Sequence, residues 1–236
     1  SGCGSALDER VDGTMGDMGV EGTVVAGAFE GYCDDGFVWV PGSAKYGTLP
    51  GFCVMANEMK AENSNEAIVN VKHYEAILTC QGIGDGYHLI SENEWLTIAE
   101  NIIRVAENDI DEETEGLQLA TSTMATTTEF ILSNGNKIFN LIGGIAEWID
   151  QTITKTGLVE PINENWYEYY EITDYKGMSI APPYYYSSEN GIGQIKTGDN
   201  NNEIRGFVRG ANALYDLDLS NSFDTAIPTI GFRCAR

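Results

Sequence analysis

Hydrophobic and polar positions alternate with a period of two along the carboxy-terminal part of the chain. In Ala213–Ser220, Leu217 and Leu219 alternate with Asp216, Asp218 and Ser220, so one side of a strand can face a core while the other meets solvent. Ile230, Phe232 and Cys234 alternate with Gly231, Arg233 and Ala235, which predicts a closing strand tucked into a sheet. Between them lies an irregular segment, Ser220–Thr229, that contains Pro228. A rigid frame holding a solvent-facing irregular segment is the usual anatomy of a binding surface.

Upstream, Phe37–Val40 and Phe52–Met55 read as strands, with Pro41-Gly42, Lys45, Tyr46 and Pro50 as turn material between them. Ile68, Val71, Tyr74, Ile77 and Leu78 recur at helical spacing and predict a helix over Glu66–Cys80, ended by Gly82 or Gly84. A second helix starts at Ser91, where Ser91-Glu92-Asn93-Glu94 is a capping box and Trp95, Ile98, Ala99 and Ile102 form one apolar face. Phe130–Leu132 and Lys137–Leu141 flank Asn134-Gly135, a hairpin signal. Thr121–Thr128 reads as a polar loop or edge strand. Residues 1 to 35 form a Gly- and Asp-rich amino-terminal arm, and about 152 to 202 is an insertion without clear periodicity.

These elements carry motifs that resemble a known fold family. Arg209-Gly210 followed by Ile230–Ala235, I-G-F-R-C-A, is similar to the carboxy-terminal signature of the C-type lectin fold of the formylglycine-generating-enzyme (sulfatase-modifying factor) type. Gly86–Glu100, Ser133–Asp150, Phe37–Gly42 and Phe52–Met55 resemble further motifs of that family in the same order, over about residues 36 to 236. The resemblance implies an α+β C-type lectin-like domain at 36–236, two helices on a small twisted antiparallel sheet, with a carboxy-terminal region at about 203–236.

Composition and charge narrow the function. With 36 acidic and 13 basic residues the net charge is -23, which makes nucleic acid and anionic membranes poor partners. No run of eighteen apolar residues occurs, so no span of a bilayer is expected. Of the five cysteines, Cys53 and Cys234 sit in strand-like alternation and read as buried small hydrophobes; the odd count leaves at least one unpaired or linked outside the chain. Cys3, in Ser1-Gly2-Cys3-Gly4, fits the start of a lipid-anchored mature protein and equally a cloning remnant. The acidic stretch Glu107–Gly116 could attract calcium, but it lacks the glycine and terminal glutamate of the helix-loop-helix calcium loop and reads as a solvated loop.

The catalytic groups of the family's enzymes are missing. No cysteine lies between Arg209 and Gly231, where the formylglycine-generating enzymes carry a copper-binding pair, and His73 and His88 are the only histidines. No nucleophile elbow, phosphate-cradling loop or dinucleotide fingerprint occurs. The chain therefore most resembles the ligand-binding branch, closest to the variable proteins of diversity-generating retroelements. That resemblance implies non-catalytic display of a diversifiable surface on a virion or cell, binding a protein or glycan, with no cofactor.

Leu217, Leu219 and Asn221 match the fixed L-x-L-x-N of that branch. The candidate ligand-binding positions then fall at Leu214, Tyr215, Asp216, Asp218 and Ser220, and at Asp224, Thr225, Ile227 and Thr229. The loop after Arg209-Gly210 is shortened to A-N-A-L-Y, and Phe223 stands where the family has proline. Seven tyrosines between Tyr167 and Tyr186, including Tyr184, Tyr185 and Tyr186, resemble a paratope or else cover a thin domain edge. The alternatives are a metal-assisted enzyme on the same fold, using Glu147 or the same-facing carboxylates Asp216 and Asp218, and a structural virion or surface component.

Overall fold

A computed structural model describes residues 31–108, 128–168 and 194–236. The fold is α+β, with two α-helices and several small sheets among the described residues. The elements run β1 (Phe37–Pro41), β2 (Gly51–Met55), α1 (His73–Gln81), β3 (His88–Leu89), α2 (Glu92–Ile103), β4 (Glu129–Ile131), β5 (Lys137–Phe139), β6 (Ala146–Thr154), β7 (Tyr167–Glu168), β8 (Gln194–Lys196), β9 (Ile204–Arg209), β10 (Leu217–Asp218), β11 (Ile230–Gly231) and β12 (Cys234–Ala235). One sheet has the order β1-β2-β12-β3, a larger one β11-β6-β9-β10-β8-β7, and β4 pairs with β5 alone. The larger sheet is mixed rather than antiparallel, because β10 runs parallel to β8 and β11 parallel to β6.

Several elements follow from local chemistry. At the start of α2, the Ser91 hydroxyl accepts the Glu94 N–H, and the Glu94 carboxylate accepts the Ser91 N–H at 2.8 Å, closing the expected capping box. Trp95, Ile98, Ala99 and Ile102 are buried on the inner face. The Asn134-Gly135 hairpin joins β4 to β5, with Gly135 in the left-handed region at φ +83°. The Arg209-Gly210 turn needs its glycine: φ is +77°, and a Cβ there would lie 2.2 Å from the Leu141 carbonyl.

Three expectations are corrected. The first helix begins at His73 rather than Glu66, because the preceding residues bond elsewhere: the Ile68 N–H reaches the Met59 carbonyl, the Asn70 N–H reaches Ile227, and Asn70 is left-handed at φ +59°. Its buried face is His73, Ala76 and Cys80, whereas Tyr74 and Leu78 are 38% and 62% exposed. The closing strand is split between the two large sheets, β11 beside β6 and β12 between β2 and β3. Cys53 and Cys234 are cross-linked rather than merely buried, in Cys33–Cys53 and Cys80–Cys234 disulfides. The second ties the end of α1 to β12 across 154 residues, and the first fastens the end of the amino-terminal arm to β2.

The core forms two clusters. One gathers Trp95, Leu96, Phe130, Ile149, Phe207, Leu214 and Leu217 among others; the second joins Ala76 and Cys80 of α1 to Trp148, Val208 and Phe232. The indole N–H groups of two buried tryptophans are satisfied inside, Trp95 on the Leu214 carbonyl at 2.6 Å and Trp148 on the Val71 carbonyl at 3.0 Å. Among the described residues, no helix is long and apolar enough to cross a membrane.

Candidate ligand-binding surface

Three buried arginines fix the frame of the carboxy-terminal segment. Arg209, on β9, donates to both oxygens of Glu92 in the first turn of α2, with Nε at 2.9 Å from Oε2, and Nη1 donates to the Tyr215 carbonyl at 2.9 Å. Arg233, between β11 and β12, grips Glu147 of β6 through Nε at 2.7 Å and Nη2 at 2.5 Å, and also donates to the carbonyls of Met55 and Phe139. Burial pushes the Glu147 carboxyl upward, and the Arg233 guanidinium opposes that shift. With the side chains of both partners fully buried, Glu147 is committed to this pair; this corrects its candidacy as a catalytic carboxylate.

Arg205 has a different environment. Its guanidinium is enclosed by backbone carbonyls: Nη1 donates to Thr197, to Gly198 at 2.9 Å and to Leu219 at 3.2 Å; Nη2 to Asn200 at 2.7 Å; and Nε to Asn202 at 3.1 Å. Burial lowers its pKa, opposed by the acidic residues around it. The loop from Thr197 to Asn202 is thus wound around a cation that belongs to the chain.

These contacts sort the candidate residues into three groups. Leu214, Tyr215, Asp216 and Asp218 are buried, which corrects the expectation that they face solvent. The reason is tertiary: β10 is an interior strand between β9 and β8. Asp216 accepts the N–H groups of Gln194 at 2.8 Å and Asn212 at 3.1 Å, and burial raises its pKa. Asp218 accepts from the Ser220 N–H and hydroxyl and pairs with Lys196 at 2.9 Å, while the Lys196 ammonium lies over the Trp166 ring. The two carboxylates cap the ends of β10, tie it to β8 and are not a solvent-facing pair. Burial also pushes the Tyr215 hydroxyl, which is hydrogen-bonded to Tyr46, well above its ordinary range.

The second group is accessible. Asp224, Thr225 and Thr229 are exposed, and Ser220 and Ile227 are half-buried. The loop that carries them is anchored at both ends. The Gly206 N–H reaches the Asn221 carbonyl, the His73 N–H reaches Phe223 at 3.1 Å and the Asn70 N–H reaches Ile227 at 3.1 Å. The amino-terminal end of α1 extends the surface: the Tyr74 ring lies 6.4 Å from that of Phe223, and the Lys72 ammonium lies over Tyr74. Tyr74 and Lys72 escaped the sequence reading because Tyr74 fitted the helical apolar pattern; the alternative spacing His73, Ala76, Cys80 would have turned it outward.

The third group, Tyr184, Tyr185 and Tyr186, lies outside the described residues, as does most of the acidic stretch Glu107–Gly116. The described start of the aromatic insertion folds inward, with Tyr167 packed on the core and paired with Ile195 in the sheet. Among the described residues, no group of three or more His, Cys, Asp or Glu side chains is placed to hold a metal ion. No family model matches this chain, and no curated protein matches it.

Proposed function

We propose that this protein is a non-catalytic ligand-binding protein of the C-type lectin-like, formylglycine-generating-enzyme type, similar to the variable proteins of diversity-generating retroelements. It binds a protein or glycan through the loop from Ser220 to Thr229, extended by Tyr74 and Lys72. One observation carries the reading. Asp224, Thr225 and Thr229 are exposed on a loop whose backbone is tied to β9 and to the start of α1. Side chains held this way can change without disturbing a core residue, and they meet a partner at a low ordering cost.

The two disulfides favour display on a virion or cell surface, since such bonds persist in oxidising surroundings. The test is binding of the purified chain to arrays of glycans and surface proteins, with a variant combining Asp224→Ala, Thr225→Ala and Thr229→Ala. The reading expects at least one partner whose binding is lost in the variant while the melting temperature holds. Partners bound equally by both chains would sink it.

A further inference from the structure

Beside the loop from Ser220 to Thr229 runs a row of accessible apolar side chains. α1 buries His73, Ala76 and Cys80 and turns Tyr74 and Leu78 outward, 38% and 62% exposed. Residues four apart on a helix stand one above the other, about 5–6 Å apart. From Tyr74 the row crosses to the half-buried Phe223, whose ring lies 6.4 Å away, and then to β9. Arg205 pairs antiparallel with Ser222, and the Phe223 N–H reaches the Ile204 carbonyl at 3.4 Å, so Ile204 and Phe223 are directly opposed, with side chains about 5 Å apart. Ile204, 40% exposed, shares the sheet face of Gly206, where a Cβ would lie 2.9 Å from the His73 ring; it therefore points to the α1 side. Four large apolar side chains in contact order mark a contact surface rather than scattered exposed residues.

The spacing and the edges of the row restrict its occupant. Its steps lie close to the 5.4 Å pitch of an α-helix and below the about 6.8 Å between same-face residues of a strand. Half of the row lies on α1, whose outer face offers no ladder of free N–H and C=O groups to an added strand. Leucine and isoleucine give no hydrogen bonds to sugar hydroxyls. Acids edge the row: Glu75 beside Tyr74, Glu203 beside Ile204 and Asp224 beside Phe223, on a chain of net charge -23. The basic groups close by are engaged. The Lys72 ammonium lies over the Tyr74 ring in the field of Asp224 and Glu75, and Lys155 donates to the Asn201 side chain at 3.0 Å.

We propose that this row seats a basic amphipathic α-helix of a partner protein, about three turns long, with its apolar residues on Leu78, Tyr74, Phe223 and Ile204 and its lysines or arginines toward Glu75, Asp224 and Glu203. The inference rests on the binding function proposed for the adjoining loop, and it narrows the partner to a protein.

The test is amide NMR of the full chain at physiological ionic strength, titrated with a synthetic peptide of about fourteen residues that carries leucine on one helical face and lysine and alanine on the other. A peptide of the same composition in scrambled order and maltohexaose are the competing probes. The amphipathic peptide should shift the Tyr74, Leu78, Ile204 and Phe223 signals saturably and bind at least about tenfold tighter than its scrambled form, the worth of one buried leucine. Leu78→Lys should weaken that binding by about tenfold, and Ile204→Lys should do the same from β9. Leu49→Lys, the same charge change at a leucine 64% exposed on the β1–β2 connection, should leave it unchanged. No saturable shift with the amphipathic peptide, equal binding of the two peptides, equal effects of Leu78→Lys and Leu49→Lys, or the same signals shifted by maltohexaose instead would overturn the proposal. The variant combining Asp224→Ala, Thr225→Ala and Thr229→Ala separates it from the loop function: a partner lost in that variant yet bound normally by Leu78→Lys and Ile204→Lys leaves the loop function standing and refutes the helix.

Discussion

Replacing Arg205 with methionine should loosen the frame beneath the binding loop more than any exposed substitution. Arg205 sits on β9 where the chain from Asn221 to Phe223 attaches, bridged to Ser222, and its guanidinium donates to five backbone carbonyls. Methionine matches much of the length and leaves those acceptors without a donor. The carbonyls of Asn200 and Asn202 belong to half-buried residues and can turn to water; those of Thr197, Gly198 and Leu219 belong to buried ones. At about 1–1.5 kcal/mol for each of the three buried acceptors, the loss is about 3–5 kcal/mol, reduced somewhat because a desolvated charge is removed. Lysine, with one nitrogen in place of three, should recover about half. Urea unfolding at neutral pH reads the midpoint, and hydrogen exchange over Ile195–Asn202 reads whether the loop opens first. A loss under about 1 kcal/mol in Arg205→Met, with unchanged exchange, would refute the idea that this cation organises the loop.

Other consequences follow from the same contacts. Arg233→Met leaves the Glu147 carboxylate buried without its partner and should cost about 3–5 kcal/mol, whereas the double change Arg233→Met, Glu147→Leu should recover most of that loss in thermal unfolding. His88 is raised to about 9, chiefly by its hydrogen bond to Glu94, so its stabilising contribution is complete below about pH 6.5 and fades as pH rises through 9. A pH series of melting temperatures should show that decline, and His88→Gln should flatten it. Burial lowers the pKa of His73, which bonds the Ile149 carbonyl at 2.6 Å, so stability should also fall as pH drops below about 6.5. Cys80→Ser with Cys234→Ser opens a loop of 154 residues and should cost up to about 5 kcal/mol in denaturant unfolding.

What could be read from the sequence was what neighbouring residues decide between themselves. The Ser91 capping box, the Asn134-Gly135 hairpin and the strands at Phe37 and Phe52 all depend on contacts within a few residues or on simple alternation. The start of α1 did not follow from its pattern, because Ile68 and Asn70 take their partners from Met59 and from Ile227, far along the chain. The same limit explains Asp216 and Asp218. Alternation placed them opposite Leu217 and Leu219 correctly, but only the pairing of β10 with Gln194–Lys196 shows that the opposite face is covered too. The burial of Arg205, Arg209 and Arg233 likewise comes from the packing of the sheets, not from any pattern among their neighbours in the chain.

The central claim, a changeable binding loop on a fixed frame, is tested most directly by sequencing the DNA for Glu203–Arg236 from several isolates, together with the flanking genes. The account predicts a near-copy of this segment beside a reverse-transcriptase gene. Differences should be concentrated at Asp224, Thr225, Thr229 and the half-buried Ser220 and Ile227, while Arg205, Arg209, Leu217, Leu219 and Arg233 stay constant. A single invariant copy with no reverse transcriptase nearby, or differences falling on the buried frame, would contradict it.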